Sequence, residues 1–375
     1  MADTTVIHPQ QLSWPDIYVV PRPGWRTRVA ELALRYAVRD LPLRIVLRHN
    51  EVWGAGCADA PTITIKDPDA FFRRVGQSGM IGFGESYMAG EWDAHDSETL
   101  TAALAILAAN IDGLIPPVLH GLRRFALQKM PVEARGWRQA SKDNVAAHYD
   151  LSNDMFAAFL DPTMTYSAGL FENAPQALWP DLPFAQHAKI DRLLDRTGVG
   201  AGTRLLEIGT GWGELAIRAA HRGAHVTTLT LSEEQAGLAA RRIEAAGMAD
   251  RVEVRLQDYR DADGCYDAIV SVEMIEAVGY RGWPTYFMAL DRMLAPGGKI
   301  GIQAITMPDH RMEATRNTHG WIHKYIFPGG LLPSVEAIER TVQHHTDLHV
   351  CERFSFGEHY AATLRLWRER FEACW

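Results

Sequence analysis

The sequence predicts an α/β protein built on a doubly wound, Rossmann-like parallel sheet, with a smaller α+β domain in front of it. Three observations predict this. After Asn144, strand and helix patterns alternate regularly. One predicted strand runs straight into a glycine-rich turn and then a helix, LLEIGTGWGEL, from Leu205 to Leu215. The chain has 375 residues, enough for two domains at roughly 150 each.

The elements follow in order. Pro9, Pro15, Pro21 and Pro23 break any helix in residues 1–24. Val29, Leu32, Ala33, Tyr36 and Ala37 then fall at helical spacing among Arg26, Arg28, Arg35 and Arg39, and Pro42 ends that helix. Leu43–Leu47 and Pro61–Lys66 read as strands, Asp69–Val75 as a helix followed by a glycine-rich turn, and Ser97–Ile111 as a helix. Residues 1–120 are thus expected to form the smaller N-terminal domain, 121–143 a basic linker and 144–375 the α/β domain. In the last, Arg204–Ile208, His225–Leu231, Val252–Leu256, Ala268–Val272 and Lys299–Ile305 are expected strands. Trp212–His221 and Glu233–Ala246 are expected helices.

The composition narrows function. The net charge of −8 argues against generic nucleic-acid binding, which requires a broad basic footprint. Hydrophobic and charged residues make up 47% and 22%, as in ordinary globular proteins. Cys57, Cys265, Cys351 and Cys374 form no CxxC, and His319, His323 and His359 lack ligand spacing, so no metal site is expected. No apolar run reaches the ~18 residues that span a bilayer, and no signal peptide is evident. A cytoplasmic location is expected.

In the motif, glycines at a strand end let the backbone turn with positive φ and pass close to a ligand. The GxGxG spacing of Gly209, Gly211 and Gly213, with Glu207 two residues ahead, resembles motif I of class I S-adenosylmethionine-dependent methyltransferases. A structural glycine turn and a dinucleotide site are the alternatives. Thr230, Leu231 and Gln235 end the second strand, and Asp258 and Tyr259 the third.

Further motifs carry a more specific resemblance. They are HYDLSNDMFAAFLDPTMTYSAGLF (His148–Phe171), SVEMIEAVGY (Ser271–Tyr280), HGWIHKYIFPGGLLPS (His319–Ser334) and GEHYAATLRLWRERF (Gly357–Phe371). Together they resemble the cyclopropane fatty acid synthase and mycolic acid methyltransferase family. GESYMAGEW (Gly84–Trp92) and IQAITMPDHRM (Ile302–Met312) look like the actinobacterial enzymes of tuberculostearic acid synthesis. The resemblance implies methyl transfer from S-adenosylmethionine to an oleoyl-type phospholipid chain, giving a 10-methylene and then a 10-methyl group. It implies that Tyr149, Tyr166 and Ser167 close over the cofactor. Gly209 and Gly211 would approach its amino-acid part, Thr230, Leu231 and Gln235 its ribose, and Asp258 and Tyr259 its adenine.

The family pattern holds a bicarbonate base with a Cys, a Glu, a His, an Ile backbone group and a Tyr. Here Glu276, Ile305 and Tyr360 match, but Ala168 replaces the Cys, Gln303 the His, and Ala277 the His after Glu276. Glu273 also stands where the family has a small residue. Bicarbonate is therefore expected to bind weakly or not at all. An altered base is expected to favour an exocyclic methylene over a cyclopropane, with Glu276 and Tyr360 beside the cation and Glu273 a second candidate base. The alternatives are a true cyclopropane synthase and a lipid-binding protein that has lost catalysis.

The substrate implies docking on the inner membrane face. The arginine-rich helix with Trp25 and the basic stretch of Arg123, Arg124, Lys129, Arg135 and Arg138 are candidates for anionic headgroups. Ile326, Phe327, Leu331 and Leu332 are candidates for an acyl channel. The resemblance also implies a homodimer, and a separate reductase, because the chain shows no flavin or nicotinamide fingerprint.

Overall fold

The computed structural model describes residues 15–110, 128–129 and 153–374. Contacts divide the chain into two units, Met1–Pro131 with Asn317–Ile326, and Val132–Arg316 with Phe327–Trp375.

The smaller unit carries α1 (Trp25–Val38), β1 (Arg44–Val46), β2 (Val52–Trp53), β3 (Thr62–Ile65), α2 (Pro68–Ser78), α3 (Met80–Met88), β4 (Trp92–Ala94) and α4 (Ser97–Ala109). Its sheet order is β2-β1-β3-β4, with β1 and β3 parallel and both edge pairs antiparallel. Asp67 caps α2 through the Ala70 N–H with Pro68 in the first turn, and Asp96 caps α4 through the Thr99 N–H. Ile45, Ile63, Ile65, Phe71, Phe72 and Trp92 close the core.

The glycine-rich turn expected after α2 is instead helix α3. Its glycines serve close packing. A Cβ on Gly82 would fall 2.1 Å from the Arg74 carbonyl oxygen, and one on Gly84 would fall 2.3 Å from the Trp321 ring. Trp321 belongs to a short helix, Trp321–Tyr325, whose Lys324 and Tyr325 both donate to Glu85 of α3 (2.5 and 2.8 Å). Just before it, Thr318–His319 pairs antiparallel with Gln128–Lys129. Asn317–Ile326 was expected within the 144–375 domain, yet it packs in the smaller unit, because its backbone and ring partners lie there. Apart from Gln128–Lys129, the 121–143 linker lies outside the described residues.

The larger unit contains α5 (Asn153–Phe159), α6 (Leu182–Thr197), β5 (Arg204–Ile208), α7 (Glu214–His221), β6 (His225–Thr230), α8 (Glu233–Ala245) and β7 (Val252–Leu256). It continues with β8 (Tyr266–Val272), α9 (Ile275–Val278), α10 (Trp283–Met293), β9 (Leu294–Gln303), α11 (Asp309–Thr315), α12 (Val335–His345) and α13 (Gly357–Cys374). The sheet order is β9-β8-β5-β6-β7, and every pair is parallel. This is the class I α/β arrangement. Alternate residues feed opposite cores, as a two-sided sheet requires. Leu206, Ile208 and Ile269 pack with Trp283, Tyr286 and Leu290 of α10. Leu205, Ala268 and Val270 pack with Ile190 and Leu194 of α6 and Ala216 of α7.

The chain order reverses between β5 and β8, so the crevice at their carboxyl ends is where such sheets take ligands. The strand expected to reach Ile305 ends at Gln303, and it begins earlier, at Leu294, with a register shift before Lys299. Ile305 is thereby released from the ladder.

Candidate active site

The site is assembled at the carboxyl edge of the sheet. After β5, Gly209 and Gly211 have φ of 97° and 51°. The N–H groups of Gly209 and Thr210 both donate to the Leu229 carbonyl (3.0 and 3.1 Å), which stitches the turn to β6. The two glycines do different things. A Cβ on Gly209 would lie 2.6 Å from Met274 Cγ, whereas one on Gly211 would meet no atom within 4 Å. Gly209 permits packing, and Gly211 borders open space. Glu207 is buried behind them, where it accepts from the Thr228 hydroxyl (2.6 Å), itself 2.8 Å from that of Thr210. Burial pushes its carboxyl up to about 8 despite the Thr228 bond, so it is largely protonated at neutral pH.

At the end of β6, Thr230 donates to the Gln235 side chain (2.9 Å) and accepts from the Ser232 N–H, while Ser232 caps α8 through the Gln235 N–H (3.2 Å). Leu231 is half-buried between them. At the end of β7, Asp258 holds Arg260 through both carboxylate oxygens (2.9 and 2.5 Å). Tyr259 packs edge-on against Tyr286, and burial raises its phenol to about 12. Tyr149 lies outside the described residues.

The candidate base cluster draws on two strand ends, α9, α13 and the 166–168 segment. Glu273 follows β8 with φ 51°, a left-handed backbone that is unfavourable by roughly 1–2 kcal/mol for a residue with a Cβ. Its Oε1 accepts from the Ala168 N–H (3.0 Å) and the Gln303 amide (2.9 Å). The same amide donates to the Ala168 carbonyl (3.2 Å). Glu276, in α9, accepts from the Ile305 N–H (2.5 Å), and its other oxygen is buried without a hydrogen bond among the described residues. Burial pushes its carboxyl up to about 8, and the charge of Glu273 adds to the rise. The Tyr360 phenol is raised by burial and by the charges of Glu273, Tyr166 and Glu276. The structure thus brings together Ala168, Glu273, Gln303, Glu276, Ile305 and Tyr360.

Tyr166 has neighbours of two kinds. Its ring packs against Phe156, Phe159 and Trp367, and burial with the Glu273 charge raises its phenol. Next to it, Ser167 is buried, its hydroxyl accepting from Lys189 and its carbonyl from the Gln186 amide (2.8 Å). Sequence reasoning missed Gln186 and Lys189. The available signal was two polar residues within the apolar stripe of Leu182, Ala185, Ile190 and Leu194 on α6. His359 accepts the Phe171 N–H (2.9 Å) and stacks on that ring. Leu331 lies in the main core, its N–H donating to the Glu276 carbonyl (2.8 Å), and Phe327 is exposed. No helix among the described residues is long and apolar enough to cross a membrane.

The donor set fits S-adenosylmethionine. Open space borders Gly211 among the described residues, the buried polar side chains of Glu207, Thr230 and Gln235 stand on and just after β5 and β6, and an aromatic residue, Tyr259, follows the third strand. Comparisons agree. The family model for mycolic acid cyclopropane synthetase matches residues 137–375. The tuberculostearic acid methyltransferase UfaA1 of Mycobacterium tuberculosis is 54% identical over 364 residues, 96% of this chain and 84% of that protein. The cyclopropane-fatty-acyl-phospholipid synthase of Escherichia coli is 37% identical over 320 residues, 84% and 77% of the two chains. Among solved structures, the cyclopropane synthase MmaA2 from Mycobacterium tuberculosis superposes with a TM-score of 0.56 at 32% identity, covering 62% of this chain and 83% of its own. The mycolic acid cyclopropane synthase CmaA1, complexed with SAH and CTAB, gives 0.55 at 33% identity, with the same coverage.

Proposed function

The chain belongs to the mycolic acid cyclopropane synthetase family and is an S-adenosylmethionine-dependent C-methyltransferase, and on that premise we propose that it methylates the cis double bond of an oleoyl-type phospholipid chain to give a 10-methylene group. Bound S-adenosylmethionine supplies an electrophilic methyl to the alkene, and the resulting chain cation becomes the methylene once a hydride shifts and a base takes a proton from the new methyl.

The observation that carries this reading is the seat of Glu273. Among the described residues both hydrogen bonds of its carboxylate fall on Oε1, which leaves the lone pairs of Oε2 for that proton. Two positions of the family's bicarbonate pattern are engaged by carboxylates of the chain itself. Gln303 is taken by Glu273, and the Ile305 N–H by Glu276. A base tethered to the backbone does not need an added anion. Its left-handed backbone supports a functional role, since strained residues persist where the surroundings over-determine them. Glu276, largely protonated at neutral pH, leaves Glu273 as the proton acceptor of the pair.

Access to the substrate at an anionic membrane surface is supported by α1. Trp25, Val29, Leu32 and Tyr36 are all exposed at helical spacing, with Arg28, Arg35 and Arg39 along one flank. A separate reductase would convert the methylene to a methyl branch.

The test is a product analysis. The enzyme is incubated with S-adenosylmethionine and oleoyl phospholipid vesicles, with and without bicarbonate, and the fatty acids are examined by mass spectrometry after ozonolysis. A methylene product formed equally in both is expected. A cyclopropane product that disappears when bicarbonate is stripped would overturn the reading. Absence of any product would instead favour a lipid-binding protein.

A further inference from the structure

Lys189 lies on α6, on the same face as Gln186 and one turn from it, and is only 2% exposed. An enclosed ammonium is unfavourable unless opposite charge and hydrogen bonds compensate. Its Nζ donates to the Ser167 hydroxyl, and the carboxylates acting on it are Glu273 and Asp161. An ammonium only donates, so Ser167 Oγ is the acceptor. One turn away, the Gln186 amide donates to the carbonyls of Thr165 (3.2 Å) and Ser167 (2.8 Å). Two side chains of one helix therefore hold this segment, Gln186 by its backbone and Lys189 by the Ser167 side chain. The next N–H, that of Ala168, is the one that grips Glu273.

We infer that Lys189 is a positioning residue for the proton-transfer step: by holding the Ser167 side chain it fixes the segment whose next N–H, that of Ala168, grips Glu273. This rests on Glu273 being the base. The groups around the pair are consistent with it. On the Glu273 side stand Tyr166, Tyr360 and Glu276, whose phenols and carboxyl all rise in pKa. None of them supplies a cation. On the Asp161 side, the charge of Asp161 acts on Arg242, which pairs with Glu214 (2.8 Å), and Glu214 also meets His187 (2.8 Å). Asp161 accepts the Thr163 N–H (2.9 Å). Burial lowers the Lys189 ammonium to about 8 while the two carboxylates oppose the fall, so it stays charged at neutral pH.

The test is kcat in Lys189→Met and Lys189→Arg, alone and in the Glu273→Gln background. Lys189→Met is expected to lower kcat about tenfold or more. Lys189→Arg, which keeps a cationic donor toward Ser167, is expected to recover most of that loss. In the Glu273→Gln background, Lys189→Met should have little further effect, because the residue acts only through that carboxylate. A loss equally large in both backgrounds would reduce Lys189 to a structural role and overturn the inference. Full activity in Glu273→Gln would instead overturn the assignment of the base. If Lys189→Met does not fold, Ser167→Ala, which removes the acceptor of the Lys189 hydrogen bond, is expected to lower kcat in the same way. Unchanged kcat in Ser167→Ala would overturn the inference.

Discussion

Replacing Gly209 and Gly211 one at a time by alanine separates packing from ligand space at the cofactor turn. Both backbones are left-handed, which is unfavourable by roughly 1–2 kcal/mol once a Cβ is present. At Gly209 the added methyl also lands 2.6 Å from Met274 Cγ and 2.9 Å from its Sδ. Ordinary carbon contacts lie at about 3.5–4.0 Å, so Met274 must move, and such overpacking adds about 1–3 kcal/mol. The expected loss is about 2–5 kcal/mol, or a melting temperature lower by roughly 4–20 °C for a unit of this size. Met274 follows Glu273, so the shift also disturbs the proposed base. At Gly211 the methyl meets nothing within 4 Å. There the stability loss is the backbone contribution alone, roughly 2–8 °C. The methyl occupies the open space instead, and a clash of about 1–3 kcal/mol with bound ligand corresponds to affinity weaker by roughly 5- to 150-fold. Thermal melts and titration calorimetry with S-adenosylmethionine read the two effects. A folded Gly211→Ala protein that binds the cofactor like wild type would refute the assignment of that space.

Three further outcomes are expected. Glu273→Gln should lower kcat by about 10²–10⁴ with S-adenosylmethionine affinity unchanged, measured by steady-state kinetics and calorimetry. Stability should fall as pH rises from about 4.5 through about 8, because Glu207 and Glu276 each retain a proton in the folded chain that the unfolded chain releases in that window. Denaturant melts across that window should show the decline, and Glu207→Gln should make it shallower. In the smaller unit, Gly84→Ala should destabilise by about 1–3 kcal/mol, because its Cβ would overlap the Trp321 ring. Hydrogen exchange should show the Trp321–Tyr325 helix opening first.

Much of the site was legible because a parallel sheet orders it. Gly209, Thr230, Asp258, Glu273 and Gln303 each stand at or just past a strand end. Strand ends are marked locally by an apolar run that stops, and a parallel sheet places all those ends along one edge. The unusual Glu273 was likewise visible as a carboxylate after β8. Its partners were not. Ala168 lies 105 residues away and Gln303 30, and the contact exists because β8 and β9 pair with Val272 opposite Gln303. Register is a property of the assembled sheet, and a one-residue slip would turn the side chains to the other face.

The sequence by itself determined the fold class, the cofactor turn and the order of the strand ends, because these follow from periodicity and glycine stereochemistry within short windows. Only the tertiary structure decided the rest. It made the glycines of α3 packing surfaces, because what a missing Cβ makes room for lies elsewhere in the chain. It drew Asn317–Ile326 into the smaller unit through pairing with Gln128–Lys129 and contacts on α3. It also set Lys189 in the interior behind Ser167, where opposite charge brought from distant segments offsets the unfavourable burial of an ammonium.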